Sequence, residues 1–315
     1  MIKRIFQLFK ITRKLATSGA INSIDEIYNI PLSVKFLFEA MSLGSSKKYD
    51  NQKLSPGEKL CNACESMGTT FIKLGQFLAT RPDIIGEKTA NDLAKLQDKL
   101  PPFSTYETKQ VLKKEIGEKL YKNIFELSEP IAAASIAQVH TAKIKINEED
   151  KLVAIKILRP DIEKLFNEEL DALMLLAYFV ENLVPKTKRL KLIESVHLLK
   201  EITNIEMDLR FEAAAANELY ENTKNDDGFD VPKIYWNYTS KRILTLDKVN
   251  GTSIREIENL KKSGVDLKKL SENLIQQFLT QAVRDGFFHG DMHQGNLFVD
   301  KKGNIVPVDF GIMGR

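Results

Sequence analysis

The chain has 315 residues, of which 28% are charged and 43% hydrophobic, and its formal net charge is +3. These values are ordinary for a soluble globular protein, the length favours two domains, and the charge gives no indication of a nucleic-acid partner. No run of 18 apolar residues is present, since the richest segment, 173–180, is too short to cross a bilayer. Lys10, Arg13 and Lys14 interrupt the N-terminal apolar segment, which excludes a secretory signal. The protein is therefore predicted to be cytosolic or to face the cytosol.

The N-terminal segment, residues 1–15, is predicted to form a basic amphipathic helix. Its charged and apolar side chains fall on opposite sides, with Lys3, Lys10 and Lys14 on one and Ile2, Ile5 and Phe9 on the other. Such a helix can lie on an anionic membrane surface or dock against the protein's own body, and the sequence leaves both interpretations open. The polar segment 42–55 that follows is typical of a linker.

A strong helix start occurs at Ser55-Pro56-Gly57-Glu58. Ser55 can cap the helix, Pro56 suits its first position, and Glu58 can bond back to the cap. The pattern predicts one helix that ends at Arg81-Pro82 and buries a single stripe. The stripe consists of Leu60, Cys64, Met67, Phe71, Leu74 and Leu78.

This predicted helix carries two further features. Cys61 and Cys64 form a lone C-x-x-C pair, and because a structural zinc site normally uses four ligands, two reduced and packed thiols are predicted. Lys73 and Gln76 lie three residues apart and project to one side. Gly75 between them costs about 1 kcal/mol of helix propensity, so a close approach to its backbone is predicted.

An alanine-rich segment begins after Pro130 and runs, as IAAASIAQVHTAKIKI, into a turn and then LVAIKIL. This pattern predicts two strands, a turn and a third strand that carries Lys156. Small residues let backbone N–H groups approach phosphates closely, and a lysine in a VAIK context is typical of contact with ATP phosphates. The predicted nucleotide-binding residues are Ile131, Ala132, Ala133, Ala134, Ser135, Ile136, Ala137, Gln138, Val139 and Lys156.

A phosphate-contacting lysine is normally held by a glutamate on a helix, and the best candidate is Glu212 in IEMDLRFEAAAANELY. Glu206 and Asp208 are predicted to precede it on the same helix. The gap from Lys156 to Glu212 is wider than in ordinary protein kinases, which indicates a specialised relative. Helical patterns are predicted through about residue 127 and at about 160–184, 190–205 and 268–287; strands are predicted at 231–238 and 242–249, with a turn at Asn250-Gly251.

The stretch His289–Gly311 carries the predicted chemistry. It contains Asp291, then Asn296, then Asp309 after two apolar runs around a Lys-Lys-Gly-Asn turn, which predicts a two-stranded hairpin. Phosphoryl transfer needs a carboxylate that orients the nucleophile, followed by an amide and a second carboxylate that hold Mg²⁺ against the phosphates. The sequence therefore predicts an ATP and Mg²⁺ site with Asp291, Lys156 and Glu212 as catalytic residues and with Asn296 and Asp309 as metal ligands.

The predicted fold is α+β and protein-kinase-like, with a helical N-terminal extension, a small and mostly antiparallel N-lobe sheet, and an incomplete helical C-lobe. The predicted domains are the extension at 1–127, the N-lobe with a helical insertion at 128–250, and the start of the C-lobe at 251–315. The chain stops at Arg315, soon after Asp-Phe-Gly, whereas a kinase C-lobe needs several more helices. A truncated sequence, or a partner that supplies the missing surface, is therefore expected.

Six motifs occur in order: KLGQ (73–76), AAASIAQVH (132–140), VAIK (153–156), EMDLRFEAAAA (206–216), HGDMHQGN (289–296) and VDFG (308–311). Together they resemble the UbiB/AarF family of atypical, protein-kinase-like proteins linked to ubiquinone biosynthesis. The resemblance extends from about residue 15 to the end. Each motif alone could arise by chance, whereas all six in this order are highly specific.

The resemblance implies that the alanine-rich loop is a modified phosphate cradle. It also implies that Lys73 and Gln76 are regulatory, with Lys73 near Glu206 and Asp208 on a helix that packs across the usual protein-substrate cleft. That arrangement disfavours ordinary protein phosphorylation and favours an ATPase that supports a membrane-associated biosynthetic complex. Gly290 stands where typical protein kinases have arginine, so switching by activation-loop phosphorylation is not expected.

The partners implied by the resemblance are ATP, ubiquinone-biosynthesis proteins, a prenylated quinone precursor and the cytoplasmic face of the bacterial inner membrane. Two other functions stay open. A small-molecule kinase of the aminoglycoside phosphotransferase type is one, because His-Gly-Asp-x-His also occurs there. The other is a non-catalytic scaffold that binds nucleotide or lipid.

Overall fold

In the computed structural model, residues 2–17, 54–96, 100–183 and 185–315 are described, together with positions 25, 32, 35, 36, 39 and 40. The predicted linker at 42–55 falls almost entirely outside these residues. The described helices are α1 (Ile2–Thr17), α2 (Pro56–Met67), α3 (Thr69–Ala79), α4 (Pro82–Ile85), α5 (Glu87–Leu93), α6 (Thr105–Tyr121), α7 (Ile162–Leu183), α8 (Leu192–Glu206), α9 (Leu209–Thr223), α10 (Ile257–Lys262) and α11 (Leu267–Thr280). The described strands are β1 (Ile124–Phe125), β2 (Ala132–Ala133), β3 (Ala137–Ile146), β4 (Glu149–Leu158), β5 (Ile243–Asp247), β6 (Gly251–Ser253), β7 (Phe288–His289), β8 (Leu297–Asp300), β9 (Ile305–Pro307) and β10 (Met313–Gly314).

Contacts between residues divide the chain into two compact units, each discontinuous in sequence. The first consists of residues 1–100, 134–136 and 161–204, and the second of 101–133, 137–160 and 205–315. The first unit is helical, and the second contains every described strand together with α6 and α9–α11. The predicted catalytic and metal-binding residues all belong to the second unit. The predicted domain boundaries after residues 127 and 250 stay predictions.

The helix that begins after Ser55 has the predicted N-terminus. Ser55 Oγ accepts a hydrogen bond from the backbone N–H of Glu58 at 3.1 Å, and Glu58 Oε2 accepts one from the backbone N–H of Ser55 at 2.8 Å, so the capping box is complete. The prediction of one continuous helix is wrong. Gly68 has φ = 101°, a conformation that other residues rarely adopt, and it separates α2 from α3. Lys73 and Gln76 therefore lie on a separate, shorter helix.

The backbone of Gly75 is closely approached, as predicted, and its neighbours are side chains. A Cβ atom added at Gly75 would collide with Leu96 and would lie 3.2 Å from Cys64 Sγ. Burial raises the pKa of the Cys64 thiol to about 12, and burial also raises the pKa of Cys61. Both cysteines are free thiols that stay protonated at neutral pH, which is typical of structural cysteines.

Helix α1 packs against α7 within the first unit. Ile11 is buried and Lys14 Nζ donates to the carbonyl of Met67 at 3.2 Å, whereas Phe9 is half exposed. Of the two interpretations of this helix, these contacts favour docking against the protein's own body for its second half. The side chains of residues 1–8 lie outside the described part. Among the described residues, no helix is both long and apolar enough to cross a membrane.

The second unit is built on an antiparallel sheet with strand order β1-β3-β4-β5, and β2 also pairs with β3. Strands β3 and β4 form a long hairpin in which Ile146 faces Glu149, which confirms the predicted strands and turn. Asn147 and Glu148 connect them with φ = 48° and 66°, the positive values that a two-residue type I′ turn requires. The core between this sheet and α6 includes Val111, Leu112, Ala142, Ile144, Val153, Ile155, Ile157 and Ile243.

The predicted strand at 231–238 is wrong. Ile234 makes an isolated bridge to β5, and Trp236–Tyr238 form a 3₁₀ turn. The chain turns there because the backbone N–H of Tyr238 donates to the carbonyl of Tyr235 at 2.9 Å instead of to a neighbouring strand.

Two further predictions, a helix end and a turn, differ from the structure. The helical pattern predicted through about residue 127 ends at Tyr121, because Ile124–Phe125 pair with β3 as strand β1. The predicted turn at Asn250-Gly251 is instead the start of β6. Glycine is needed there, since an added Cβ at Gly251 would lie 2.5 Å from the carbonyl oxygen of Val299 in the neighbouring strand β8.

A buried polar network ties β3 to the segment before β2 and to the start of α6. His140 Nδ1 donates to the carbonyl of Ser128 at 2.8 Å, which leaves His140 Nε2 as the acceptor for Gln138 Nε2 at 2.8 Å. Gln138 Oε1 accepts from the backbone N–H of Phe103 at 2.9 Å, and Gln138 Nε2 lies 3.0 Å from Thr108 Oγ1. Gln138 and His140 are almost completely buried. These five residues are called the Gln138–His140 network below.

The network predicts a loss of stability in acid. Burial lowers the pKa of His140 below its ordinary value of 6.5, against the opposing effects of Ser128 and Glu129. At pH values between the lowered pKa of folded His140 and its ordinary pKa of 6.5 in the unfolded chain, the unfolded chain binds more protons than the folded chain. The free energy of unfolding should therefore decrease as the pH falls below about 6.5, by up to about 1.4 kcal/mol per pH unit. Above that pH the stability that comes from neutral, buried His140 is fully retained.

Urea unfolding measures this loss of stability in the wild type and in His140→Asn. The titrations should cover about pH 5 to 8, the range in which histidine changes its charge. The difference in stability between the two proteins should shrink in acid. A difference that does not change with pH would assign the acid sensitivity to other groups.

Candidate functional site

The hairpin near the end of the chain places the two metal-ligand candidates in one region. Strands β8 and β9 form the predicted hairpin, with Leu297 opposite Pro307. The pairing continues one residue beyond the hairpin strands, since the backbone N–H of Val308 donates to the carbonyl of Asn296 at 3.0 Å. Asp309 follows directly. Asn296 and Asp309 therefore approach the same region from two chain segments.

Asp291 and Asn296 are held together within the loop between β7 and β8. Asn296 Nδ2 donates to Asp291 Oδ2 at 3.0 Å and also lies 3.3 Å from the carbonyl oxygen of Asp291. These bonds use the N–H groups of the amide. The amide oxygen of Asn296 is then the end that can bind a cation, and the other carboxylate oxygen of Asp291 can accept a proton or a hydrogen bond.

His289 connects this loop to Asp309. Its Nδ1 accepts from the backbone N–H of Asp291 at 3.2 Å, and its Nε2 donates to the backbone carbonyl of Asp309. Burial lowers the pKa of His289, although the bond to Asp309 opposes this effect, so the imidazole is neutral and carries its proton on Nε2. His289 is not among the predicted site residues. Its place two residues before Asp291 was the available signal.

The predicted ion pair between Lys156 and Glu212 is present. Lys156 Nζ lies 2.9 Å and 2.8 Å from the two carboxylate oxygens of Glu212 and 3.5 Å from Asp309 Oδ1. Burial opposes the charged form of Lys156, but the two carboxylates outweigh it, so the pKa of Lys156 is raised. Lys156 in turn lowers the pKa of Asp309, which keeps that carboxylate ionised at neutral pH. Burial raises the pKa of Glu212, and Lys156 opposes that change.

Glu212 reaches Lys156 because α9 packs on β5 through small side chains. Ala213 and Ala216 are fully buried, and Lys156 lies on β4 opposite Leu244 of β5. Larger residues at the two alanines would push the helix away from the sheet. The alanine-rich sequence after Glu212 thus sets the distance between the glutamate and the lysine.

The prediction that Glu206 and Asp208 share the helix of Glu212 is wrong. Glu206 ends α8, and Asp208 is the N-cap of α9, where its side chain accepts from the backbone N–H of Arg210 at 3.2 Å. Arg210 Nη2 also pairs with Asp208 at 2.7 Å, and hydrogen bonding from Arg210 lowers the pKa of Asp208. An ionised aspartate at this position stabilises the start of α9 by capping it and by its interaction with the helix dipole.

The alanine-rich loop, residues 131–139, has few side chains that face solvent. Its tip, 134–136, groups with the first unit, where Thr69 Oγ1 donates to the carbonyl of Ser135 at 3.4 Å. The side chain of Gln138 is engaged inside the Gln138–His140 network, which leaves only its backbone to approach a nucleotide. The predicted contact between the loop and nucleotide stays a prediction. The buried side chains of the loop are those of Ser135, Ile136, Ala137 and Gln138.

The donor set of Asn296 and Asp309 fits Mg²⁺. Both supply oxygen ligands, and Mg²⁺ sites that serve nucleotides normally combine one or two carboxylates with phosphates and water. In the part of the chain that the structure describes, no group of three or more His, Cys, Asp or Glu side chains could hold a metal ion. Two protein ligands would leave the other positions around a Mg²⁺ ion to phosphate oxygens and water.

Comparisons with known proteins indicate one family. Residues 95–315 match the ABC1 atypical kinase-like domain. The chain is 37% identical over 289 residues to the "Probable protein kinase UbiB" of Marinobacter nauticus, an alignment that covers 90% of this chain and 51% of that protein. It is also similar to the solved structure of Rv3197 with erythromycin from Mycobacterium tuberculosis, with a TM-score of 0.54, 26% identity, and coverage of 77% of this chain and 59% of that one. The chain thus spans about half the length of the curated relative that it matches, and the predicted kinase-like α+β fold is confirmed.

Proposed function

Because the chain belongs to the ABC1 atypical kinase-like family, we propose that it binds Mg-ATP and uses the γ-phosphate in support of ubiquinone biosynthesis. The observation that carries this proposal is one cluster of polar contacts in the second unit. Lys156 contacts Glu212 and Asp309, while Asp291 contacts Asn296. Phosphoryl transfer requires these chemical groups. The similarity to the UbiB protein of Marinobacter nauticus supports the biosynthetic part of the proposal.

In the proposed reaction, each residue of the cluster has one task. Lys156 holds the phosphates, and Glu212 keeps the ammonium group in place. Asn296 and Asp309 hold Mg²⁺, which neutralises phosphate charge when bound. Asp291 orients the attacking hydroxyl group or water and takes its proton.

Mg²⁺-dependent ATP turnover by the full-length protein tests this function. The assay should be run with and without anionic lipid and a phenolic quinone precursor, because the proposed partners include a membrane surface and a prenylated quinone precursor. Turnover that requires Mg²⁺ is the expected result. A protein that binds Mg-ATP without turnover would favour the scaffold alternative, and one that binds no nucleotide would overturn the proposal.

A second candidate is the phosphorylation of a small molecule. The similar protein Rv3197 was solved with erythromycin, and the His-Gly-Asp-x-His motif at 289–293 also occurs in aminoglycoside phosphotransferases. Incubation of the protein with ATP and erythromycin, followed by mass spectrometry, tests this candidate. An erythromycin molecule that gains a phosphate would favour it over ATP hydrolysis, and an unchanged erythromycin would leave the first proposal in place.

We further propose that Lys73 and Gln76 regulate the site. Both are half-buried on α3. The proposal keeps the implication of the family resemblance that Lys73 pairs with Glu206 and Asp208. A partly buried ammonium is tolerated when carboxylates pair with it. Lys73→Ala should therefore lower the melting temperature, by about 2–4 °C for each kcal/mol of stability lost, and should change the ratio of autophosphorylation to ATP hydrolysis.

Lys88→Ala provides the matched control for this prediction, because Lys88 is an exposed lysine on α5 of the same unit. It should change neither the melting temperature nor the ratio of the two activities. If Lys73→Ala behaves like Lys88→Ala, then Lys73 is an ordinary surface residue.

A further inference from the structure

We propose that Gln138 and His140 are positioning residues for the alanine-rich loop, and that they determine how tightly this chain binds the phosphates of ATP. The inference rests on the proposed function, in which the loop cradles those phosphates. It assigns the two side chains a role without contact to the nucleotide.

The network closes the base of the loop. On the side before the loop, the carbonyl of Ser128 accepts from His140 Nδ1 at 2.8 Å, and Ser128 Oγ accepts from the backbone N–H of Thr141 at 2.9 Å. Nearer the tip, the backbone N–H of Ile131 donates to the carbonyl of Val139 at 2.8 Å. These bonds join the incoming and outgoing arms, so they set the distance between the two arms.

The donors and acceptors of the network allow one arrangement. The carbonyl of Ser128 only accepts, so His140 carries its proton on Nδ1. The backbone N–H of Phe103 only donates, so the oxygen of the Gln138 side chain faces it. Gln138 Nε2 then faces three acceptors, which are His140 Nε2, the carbonyl of Phe103 and Thr108 Oγ1, and the contact with His140 is the shortest at 2.8 Å. Because both ends are anchored on the backbone, neither the amide nor the imidazole can flip without losing a buried hydrogen bond.

The network is also anchored to the capped start of α6. The Gln138 amide bonds both to the N–H of Phe103 at 2.9 Å and to its carbonyl at 3.2 Å, as a neighbouring strand would. Thr108 Oγ1, in the first turn of α6, lies 3.0 Å from Gln138 Nε2. Ser104 and Glu107 form a complete capping box at this end of the helix. The outgoing arm of the loop is therefore fixed to a helix terminus as well as to the sheet.

Such anchoring matters because alanine side chains form no polar contacts that could order a loop. Backbone N–H groups bind phosphate well when they converge before the ligand arrives, since ordering them during binding costs conformational entropy. Loosening the base should therefore weaken the binding of phosphate groups and leave the binding of the nucleoside unchanged. A residue that served only stability would not make this distinction.

The experiment compares His140→Leu with His140→Asn, because leucine and asparagine have similar shapes and only asparagine can donate to Ser128. Dissociation constants for Mg-ATP and for adenosine are measured by calorimetry. His140→Leu should weaken ATP binding about tenfold, the equivalent of about one hydrogen bond, and leave adenosine binding unchanged. His140→Asn should retain most of the affinity for ATP.

Thr245→Val is the control, since Thr245 is fully buried in the same sheet and donates to the carbonyl of Tyr238 at 2.7 Å. It should lower stability without changing the ratio of ATP to adenosine affinity. If His140→Leu does not fold, Gln138→Met takes its place with the same expectation, because it removes the amide that joins Phe103 to His140.

The outcomes separate this inference from the function on which it rests. Equal losses of ATP and adenosine affinity in His140→Leu, or the same behaviour in His140→Leu and His140→Asn, would refute the positioning role. A wild-type protein that does not bind Mg-ATP would overturn the proposed function, and the inference with it.

Discussion

Replacing Asp291 with asparagine is expected to slow ATP turnover by about 10²–10⁴-fold, the usual contribution of a residue that orients a nucleophile and takes its proton. The fold should survive the change, because asparagine keeps an oxygen where Asn296 Nδ2 now donates at 3.0 Å. Affinity for Mg-ATP should change little, since the metal ligands are proposed to be Asn296 and Asp309. The measurements are the turnover rate at saturating Mg-ATP and the dissociation constant.

Glu272→Gln is the control, because it makes the same chemical change at an exposed carboxylate on α11 of the same unit. Its turnover should equal that of the wild type. Wild-type turnover in Asp291→Asn would reassign Asp291 as a structural residue. A parallel loss of Mg-ATP affinity would show that the substitution distorts the metal site.

The ion pair between Lys156 and Glu212 could be predicted although 56 residues separate the two positions. Each residue lies in a local pattern that fixes its element: Lys156 in an apolar strand, and Glu212 in a helix whose alanines allow close packing. The chemistry then requires the two elements to meet, because a phosphate-binding lysine must be held. The hairpin between Asn296 and Asp309 was predictable for a similar reason, since its turn and its apolar runs are adjacent in sequence.

The break at Gly68 could not be predicted from the same kind of pattern. The buried stripe continues across it from Met67 to Phe71, both of which are buried, so the periodicity shows no interruption. A glycine within a helix costs only about 1 kcal/mol, and packing decides whether the chain bends there. Local sequence patterns are least informative where tertiary contacts worth about 1 kcal/mol decide the backbone conformation.

The position of Gln138 shows the same limit in a binding loop. Its neighbours in sequence are small residues that suit a phosphate cradle, so the sequence placed it in the nucleotide site. The hydrogen-bond partners of its side chain, Phe103 and Thr108, lie 35 and 30 residues earlier in the chain. Their positions depend on α6 packing against the sheet, which no local pattern around Gln138 reveals. His289 was missed for a related reason, because its bond to Asp309 spans 20 residues.

Asp309→Asn is expected to remove most of the Mg²⁺ dependence of ATP binding, since the change replaces the charged ligand of a hard cation with a neutral amide. Asp309 suits this role because Lys156 lowers its pKa and its side chain remains half exposed. The apparent affinity for ATP at saturating Mg²⁺ should fall at least about tenfold, which corresponds to a loss of about 1.4 kcal/mol of binding free energy. Titration of ATP at several Mg²⁺ concentrations measures both quantities.

Glu212→Gln is the matched control, because Glu212 and Asp309 are the two carboxylates that contact Lys156 and only Asp309 is a proposed metal ligand. Both variants remove one negative charge from the surroundings of Lys156. Glu212→Gln should weaken ATP binding through the poorly held lysine while the response to Mg²⁺ is retained. Asp309→Asn should lose that response, although Glu212 still holds Lys156 at 2.8 Å. If the two variants give the same Mg²⁺ titration, or if Mg-ATP affinity is unchanged in Asp309→Asn, then Asp309 acts only as a counter-charge for Lys156.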